Sequence, residues 1–171
     1  MSSELVTVYL GLGSNTGECQ KNLFKALEYL SQRLRVVEKS SIYNTEPMGN
    51  PEQPRFLNMV CLVKTILKPE DLLVLAKGIE RKMGRIPGKR NAPRTIDIDI
   101  LFYGDQVIKI PELTIPHPRL TQRAFVLVPM AEIAPELVHP INKKSINELL
   151  REVKQGVQGV LKLENNGDED V

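Results

Sequence analysis

Hydrophobic and polar positions alternate near the start of the chain. Val6, Val8, Leu10 and Leu12 are separated by Thr7, Tyr9 and Gly11, the two-residue period of a half-buried strand that ends in the turn Gly13-Ser14-Asn15. The period then lengthens. Leu23, Leu27, Leu30 and Leu34 mark one face of a helix, and Asn15 with Glu18 three residues later predicts a capping box at its start. Residues 36–45, stopped by Glu46-Pro47, and residues 55–66, bounded by Pro54 and Pro69, are rich in strand formers and predict a second and a third strand. Their connection, 46–54, holds Pro47, Gly49, Asn50, Pro51 and Pro54, a stiffened loop able to serve as a lid. Pro69 suits the first turn of a second helix whose inner face is Leu72, Ala76, Ile79 and Met83, and Gly84 is placed to end it. Residues 96–103 alternate cleanly, predicting a fourth strand that turns at Gly104-Asp105 into a short partner at Val107-Ile108. Residues 121–128 predict a short helix. Ser145 with Glu148 forms a second capping box, opening a helix through Ile146, Leu149, Leu150 and Val153.

Strand, helix, strand, strand, helix, strand is the order of a ferredoxin-like βαββαβ unit. The expected class is therefore α+β, an antiparallel sheet with helices packed on it, plus extra C-terminal helices and a short hairpin. With 171 residues and no internal repeat, one domain over 1–163 is expected, followed by an acidic, disordered tail at 164–171. The 42% hydrophobic and 26% charged content excludes a disordered or disulfide-built chain. The formal charge of +2 conceals an asymmetry, because the tail carries four acids and no base; without it, 23 basic residues face 17 acidic ones, the total of 21 less those four. A moderately basic body favours an anionic ligand. Cys19 and Cys61 have neither metal-site nor redox spacing and are expected as reduced thiols. The N-terminus lacks a signal-peptide pattern and no apolar run can span a bilayer, so a cytoplasmic protein with no membrane partner is expected.

The chemistry concentrates in Ile96-Asp97-Ile98-Asp99-Ile100. Strand alternation sends the isoleucines to one face and both carboxylates to the other, about 6.6 Å apart along the strand. A half-exposed acidic face is the plain alternative, yet aspartate is disfavoured in strands. Two such carboxylates suit Mg²⁺, which binds through one or two carboxylates plus substrate phosphates. Just upstream, Arg81, Lys82, Arg85, Lys89, Arg90 and Arg94 place six bases in fourteen residues, broken by Gly84, Pro87, Gly88 and Pro93. Cations beside a carboxylate metal site are what a polyphosphate needs, which points to a nucleoside triphosphate. No G-x-x-x-x-G-K-S/T loop occurs, and the Gly11 and Gly13 pair lacks the third glycine of a dinucleotide fingerprint, so it is read as turn chemistry. In Pro116-His117-Pro118-Arg119, followed by Arg123, the prolines display His117 on a loop, where it is either structural or in contact with phosphate. Asn58 interrupts the apolar run Phe56-Leu57-Asn58-Met59-Val60; it either pairs with backbone or reads the edge of a flat heterocycle, with Phe56 and Phe125 as stacking faces.

Taken together, Leu10-Gly11-Leu12-Gly13-Ser14-Asn15, Tyr43-Asn44-Thr45-Glu46-Pro47-Met48-Gly49, Gln53-Pro54-Arg55-Phe56-Leu57-Asn58, Pro93-Arg94-Thr95-Ile96-Asp97-Ile98-Asp99-Ile100-Leu101 and Leu113-Thr114-Ile115-Pro116-His117-Pro118 resemble, in order, the motifs of the 6-hydroxymethyl-7,8-dihydropterin pyrophosphokinases. The resemblance implies transfer of pyrophosphate from ATP to 6-hydroxymethyl-7,8-dihydropterin in folate biosynthesis, with AMP as the second product. It implies that Asp97 and Asp99 hold two Mg²⁺ ions. The pterin would lie between Phe56 and Phe125, in a pocket lined by Thr45, Glu46, Met48 and Asn58. Glu80, Arg94, Ile100, Thr114, His117 and Arg123 would contact ATP, and Arg85 and Arg94 would act on the phosphates during transfer. Two features depart from the family pattern: Asn91-Ala92 stands where a Trp-Gly pair is common, and Lys77 occupies a position that is commonly polar. The implied partners are small molecules alone, acting on a monomer. An RNA-binding module of the same element order is the rival reading, but the chain lacks its aromatic strand run, and Asp97 with Asp99 would repel a phosphate backbone.

Overall fold

The alternating N-terminal segment forms strand β1 (Val6–Ser14), and the leucine-faced segment after it forms helix α1 (Cys19–Ser31), in a computed structural model that describes residues 4–45, 56–84, 95–153 and 157–163. Next come β2 (Arg35–Lys39), β3 (Tyr43–Thr45), β4 (Phe56–Thr65), α2 (Pro69–Lys82) and β5 (Asp97–Tyr103). The C-terminal third adds β6 (Ile108–Ile110), β7 (Leu113–Ile115), α3 (Ala124–Ile133), α4 (Ile146–Glu152) and β8 (Val160–Lys162). The main sheet runs β5-β1-β4-β3-β8, with β2 also paired to β4, and every pairing is antiparallel. Its centre is β1 and β4, the two longest strands, whose alternation buries side chains on both faces. Val8, Leu10, Leu12, Met59, Cys61, Ile98 and Ile100 pack against α1 and α2. Tyr9, Val60, Leu101 and Phe102 pack on the other face against α3 and α4.

Several local expectations are corrected by these contacts. The second strand is two strands, broken at residues 40–42, where the Ser40 hydroxyl accepts the Val60 amide at 2.9 Å and so replaces a backbone acceptor of the ladder. The fourth strand does not alternate to its end. Its register against β1 shifts between Tyr9 and Leu10, a bulge that turns both Leu101 and Phe102 toward α3. Its expected partner, β6, pairs with β7 instead. The helix expected over 121–128 is a 3-10 turn at Leu120–Gln122 followed by α3, which continues through Pro129. Proline inside a helix costs about 3 kcal/mol, a loss offset here by full burial of Leu127 and Met130 on either side of it. Asn15 does not cap α1, whose N-cap position is Glu18 without a side-chain bond. The second capping box is present: Ser145 Oγ accepts the Glu148 amide at 3.2 Å, and Glu148 accepts the Ser145 amide at 2.9 Å.

One carboxylate ties α3 to the sheet edge. Glu132 accepts from the Ser41 amide at 2.9 Å, the Ser41 hydroxyl at 2.7 Å and the Tyr43 hydroxyl at 2.8 Å. Burial pushes this carboxyl up, but those bonds and the charge of Lys162 bring it below its ordinary value; burial, and then Glu132, push Tyr43 up to about 12. Both cysteines are free, and burial raises the Cys61 thiol to about 12, far from thiolate chemistry. Among the described residues, no helix is long and apolar enough to cross a membrane.

Between α3 and α4, His139 is buried edge-on to Phe102 at 5.8 Å, and its Nδ1 accepts the Ile141 and Asn142 amides at 3.2 and 3.4 Å. Burial lowers its pKa below the ordinary value. The unfolded chain then takes up a proton that the folded chain refuses, so stability is highest above about pH 6.5 and declines as the pH falls below it. Urea unfolding at pH 8 and 5.5 should show that loss. In His139→Asn, whose side-chain oxygen can accept the same amides, the loss should shrink; an equal loss in that variant would remove His139 as its source.

Candidate active site at the acidic strand

The site begins with β5. Its isoleucines Ile96, Ile98 and Ile100 are buried in the α1–α2 layer, which leaves Asp97 and Asp99 half-buried on the opposite face, as alternation requires. In the β1 register, Asp97 lies opposite Gly13 and Asp99 opposite Gly11. In the β4 register, the same glycines lie opposite Asn58 and Val60. Directly opposed residues project to one face. Asp97, Gly13 and Asn58 therefore form a row across three strands, with the Asp97 and Asn58 backbones about 10 Å apart at the usual strand spacing.

Both glycines are strand residues and not the turn residues expected of them. A Cβ on Gly13 would lie 2.9 Å from Asn58 Oδ1, closer than real Cβ atoms approach anything. The missing side chain makes the floor on which the Asn58 amide rests. Asn58 is 7% exposed and donates from Nδ2 to Thr45 Oγ1 at 3.0 Å. Its carbonyl oxygen stands over Gly13 in the row. Thr45 is opposite Phe56, whose side chain is 37% exposed, while Phe125 packs beside Tyr43 on the same face of the sheet. Thr45, Phe56, Asn58 and Phe125 thus share one region. Glu46 and Met48 lie outside the described residues, as do the rest of the 46–54 loop, Arg85, Arg94, Asn91-Ala92 and the 164–171 tail.

A third segment arrives from β7. After a cis Ile115-Pro116 bond, the His117 amide donates to the Leu101 carbonyl at 3.1 Å, which hooks this loop onto β5. His117 Nδ1 accepts the Arg119 amide at 3.2 Å. The hydrogen bond assigns the proton of the neutral ring to Nε2, which is then a donor. Burial lowers the His117 pKa, the charges of Arg123 and Arg119 lower it further, and Asp97 opposes them. One imidazole thus feels the charges of two guanidiniums and of the first aspartate. Arg119 is a cation that the sequence reading left off its list of contact residues, although its place in Pro116-His117-Pro118-Arg119 was the available signal. The Arg123 guanidinium lies 5.4 Å from the Phe125 ring centroid, a cation–π contact linking the basic side to the aromatic side. Thr114 is half-buried on β7, which packs on β5. The Ile100 side chain is buried, so a ligand can reach that residue only through its backbone at the sheet edge. Glu80, 4% exposed on α2, accepts the Ile98 amide at 2.8 Å.

Among the described residues, no three His, Cys, Asp or Glu side chains gather to cage a metal. What the face offers is two carboxylates on one strand, with glycines opposite both. Such a donor set fits a hard cation that takes its remaining ligands from phosphate and water, the usual habit of Mg²⁺. A cavity of about 360 Å³ bounded by Phe24, Lys39 and Met59 lies on the α1 side and includes none of these residues.

The chain matches the model of the 7,8-dihydro-6-hydroxymethylpterin-pyrophosphokinase family over residues 9–135. It is 42% identical over 144 residues to the 2-amino-4-hydroxy-6-hydroxymethyldihydropteridine pyrophosphokinase of Aquifex aeolicus, covering 84% of this chain and 90% of the relative. It is 40% identical to a folic acid synthesis protein of Dictyostelium discoideum, covering 87% of this chain but only 23% of that longer one. Among solved structures, a triple mutant of Plasmodium falciparum HPPK-DHPS superposes with a TM-score of 0.72 at 20% identity, over 88% of this chain and 44% of the other. That last likeness speaks for the fold alone.

Proposed function

The chain belongs to the 7,8-dihydro-6-hydroxymethylpterin-pyrophosphokinase family, and on that footing we infer that it transfers pyrophosphate from ATP to 6-hydroxymethyl-7,8-dihydropterin in folate biosynthesis. The observation that supports placing the reaction is the row Asp97-Gly13-Asn58, which sets a carboxylate pair and a buried amide on either side of a side-chain-free floor. In this reading the pterin edge is held by Asn58 and Thr45, with Glu46 and Met48 completing the wall and Phe56 and Phe125 stacking on its faces. Thr114, His117 and Arg123 bind the triphosphate, Ile100 offers its backbone to the adenine edge, and Arg85 and Arg94 come from the 85–94 segment. Asp97 and Asp99 would hold two Mg²⁺ ions. When bound, the ions offset phosphate charge and align the triphosphate.

The hydroxymethyl oxygen forms a bond to the β-phosphorus as the bond from that phosphorus to the α-phosphate oxygen breaks; AMP departs and the hydroxyl proton is released. His117 is a poor base for this proton, because its Nδ1 already accepts the Arg119 amide and its depressed pKa keeps Nε2–H as a neutral donor. Its role is to donate to a phosphate oxygen. Positioning and electrostatics then supply most of the acceleration. We further read β1, α1, the split β2–β3 strand, β4, α2 and β5 as a ferredoxin-like core within one domain over 1–163, acting as a cytoplasmic monomer.

The test is AMP formation from ATP by the intact protein. AMP should appear only when both Mg²⁺ and 6-hydroxymethyl-7,8-dihydropterin are present. Its absence with all components present would end the assignment, and release of ADP instead would change the reaction class.

A further inference from the structure

Edge strands present backbone amides that no neighbouring strand satisfies. β5 is the edge of the main sheet next to β1, and it carries both aspartates. Ile98 stands between them. Its amide is turned away from β1 and is held at 2.8 Å by the Oε2 of Glu80, from the last turns of α2. Glu80 extends the buried face made by Leu72, Ala76 and Ile79, and at 4% exposure it is as sequestered as those apolar neighbours. An apolar side chain there would continue the face without the desolvation cost of a carboxylate. A carboxylate or amide oxygen there adds the bond to Ile98, which is shortened and strengthened when the acceptor is charged.

We propose that Glu80 is a positioning residue for the reaction: by gripping the Ile98 amide it fixes the rotation of the edge strand that aims Asp97 and Asp99 at a common site. The mechanics follow from strand geometry. Side chains at 97 and 99 share one face, and rolling the backbone at residue 98 swings both together, so a single anchor at the middle residue controls the pair. The inference rests on reading Asp97 and Asp99 as the metal-binding pair, and it differs from a direct contact of Glu80 with nucleotide in what Gln should do at that position.

Three measurements test it, on wild type, Glu80→Gln and Glu80→Leu: hydrogen exchange of the Ile98 amide by NMR, the Mg²⁺ concentration giving half-maximal AMP formation, and the pterin KM. Gln keeps an oxygen able to accept the amide, so Glu80→Gln should retain Ile98 protection and stay within about threefold of wild type in Mg²⁺ dependence. Glu80→Leu should expose the Ile98 amide to faster exchange and raise the Mg²⁺ requirement by about 10- to 100-fold, the range seen when groups that orient metal ligands are lost. The pterin KM should stay within about twofold, since Asn58 and Thr45 lie two strands away. If Leu cannot be accommodated, Glu80→Asp, too short to reach, takes its place. Wild-type Mg²⁺ dependence in Leu or Asp, or a Gln variant as impaired as Leu, would overturn the proposal. A wild-type protein that forms no AMP at all would instead defeat the pyrophosphokinase reading, while Ile98 exchange would still report on the anchor.

Discussion

Asp97→Ala is expected to abolish AMP formation while leaving the protein folded. The carboxylate is half-buried between Ile96 and Ile98, whose side chains make the strand's core contacts on the other face, so truncating it removes no packing. The melting temperature should stay within a few degrees of wild type. The activity effect is large because the lost group acts on the charge that moves in the transition state; removal of a single such group costs at least about 100-fold in kcat. The AMP assay at saturating ATP and pterin, beside a thermal melt, gives both numbers. Asp97→Asn keeps the shape and removes the charge, so it should fail as badly. Turnover within about threefold of wild type in either variant would strip Asp97 of its metal-binding assignment.

Gly13→Ala should be strongly damaging although it adds a single methyl group. The added Cβ would sit 2.9 Å from Asn58 Oδ1, and an asparagine side chain is too short to swing clear without giving up its 3.0 Å bond to Thr45. Forcing an atom into a packed site costs about 1 to 3 kcal/mol. Because the strain falls on the amide proposed to read the pterin, the pterin KM should rise by about 10- to 100-fold, the same energy expressed as affinity. The ATP KM should move far less. Gly11→Ala is the control: its new Cβ would meet Leu101 at 3.5 Å, an ordinary contact, and the kinetic change should be small. Equal pterin KM values for wild type and Gly13→Ala would detach that row from the pterin site.

Local patterns carried a good part of this molecule. Alternation in 96–100 was enough to place three isoleucines inward and two aspartates outward, because a strand's two-residue period is a property of the backbone itself. Leu72, Ala76 and Ile79 declared the inner face of α2 for the equivalent reason at the helical period. Gly84 closed that helix with a φ of 108°, a conformation that L side chains rarely adopt. Ser145 and Glu148 made their reciprocal cap within four residues. Each is settled by neighbours in sequence.

The failures share a different cause. The helix expected over 121–128 becomes α3, which runs on through Pro129 because burial against the sheet outweighs one lost hydrogen bond. The strand expected over 36–45 breaks because a hydroxyl at Ser40 meets an amide twenty residues away on β4. Gly11 and Gly13 read as a turn, and only the pairing of β1 with both β5 and β4 makes them the floor of a site.

The sequence by itself determined the first strand, the leucine-faced first helix, the second helix and which face of the fourth strand is acidic, since backbone periodicity and capping need no partner beyond a few residues. Tertiary structure alone decided that Asp97 and Asn58 share a row across Gly13, that the charge of Asp97 reaches His117, and that Glu80 holds the Ile98 amide. Those relations join residues 18 to about 80 apart in the chain, and they exist only once the sheet sets its order and register and α2 packs on it.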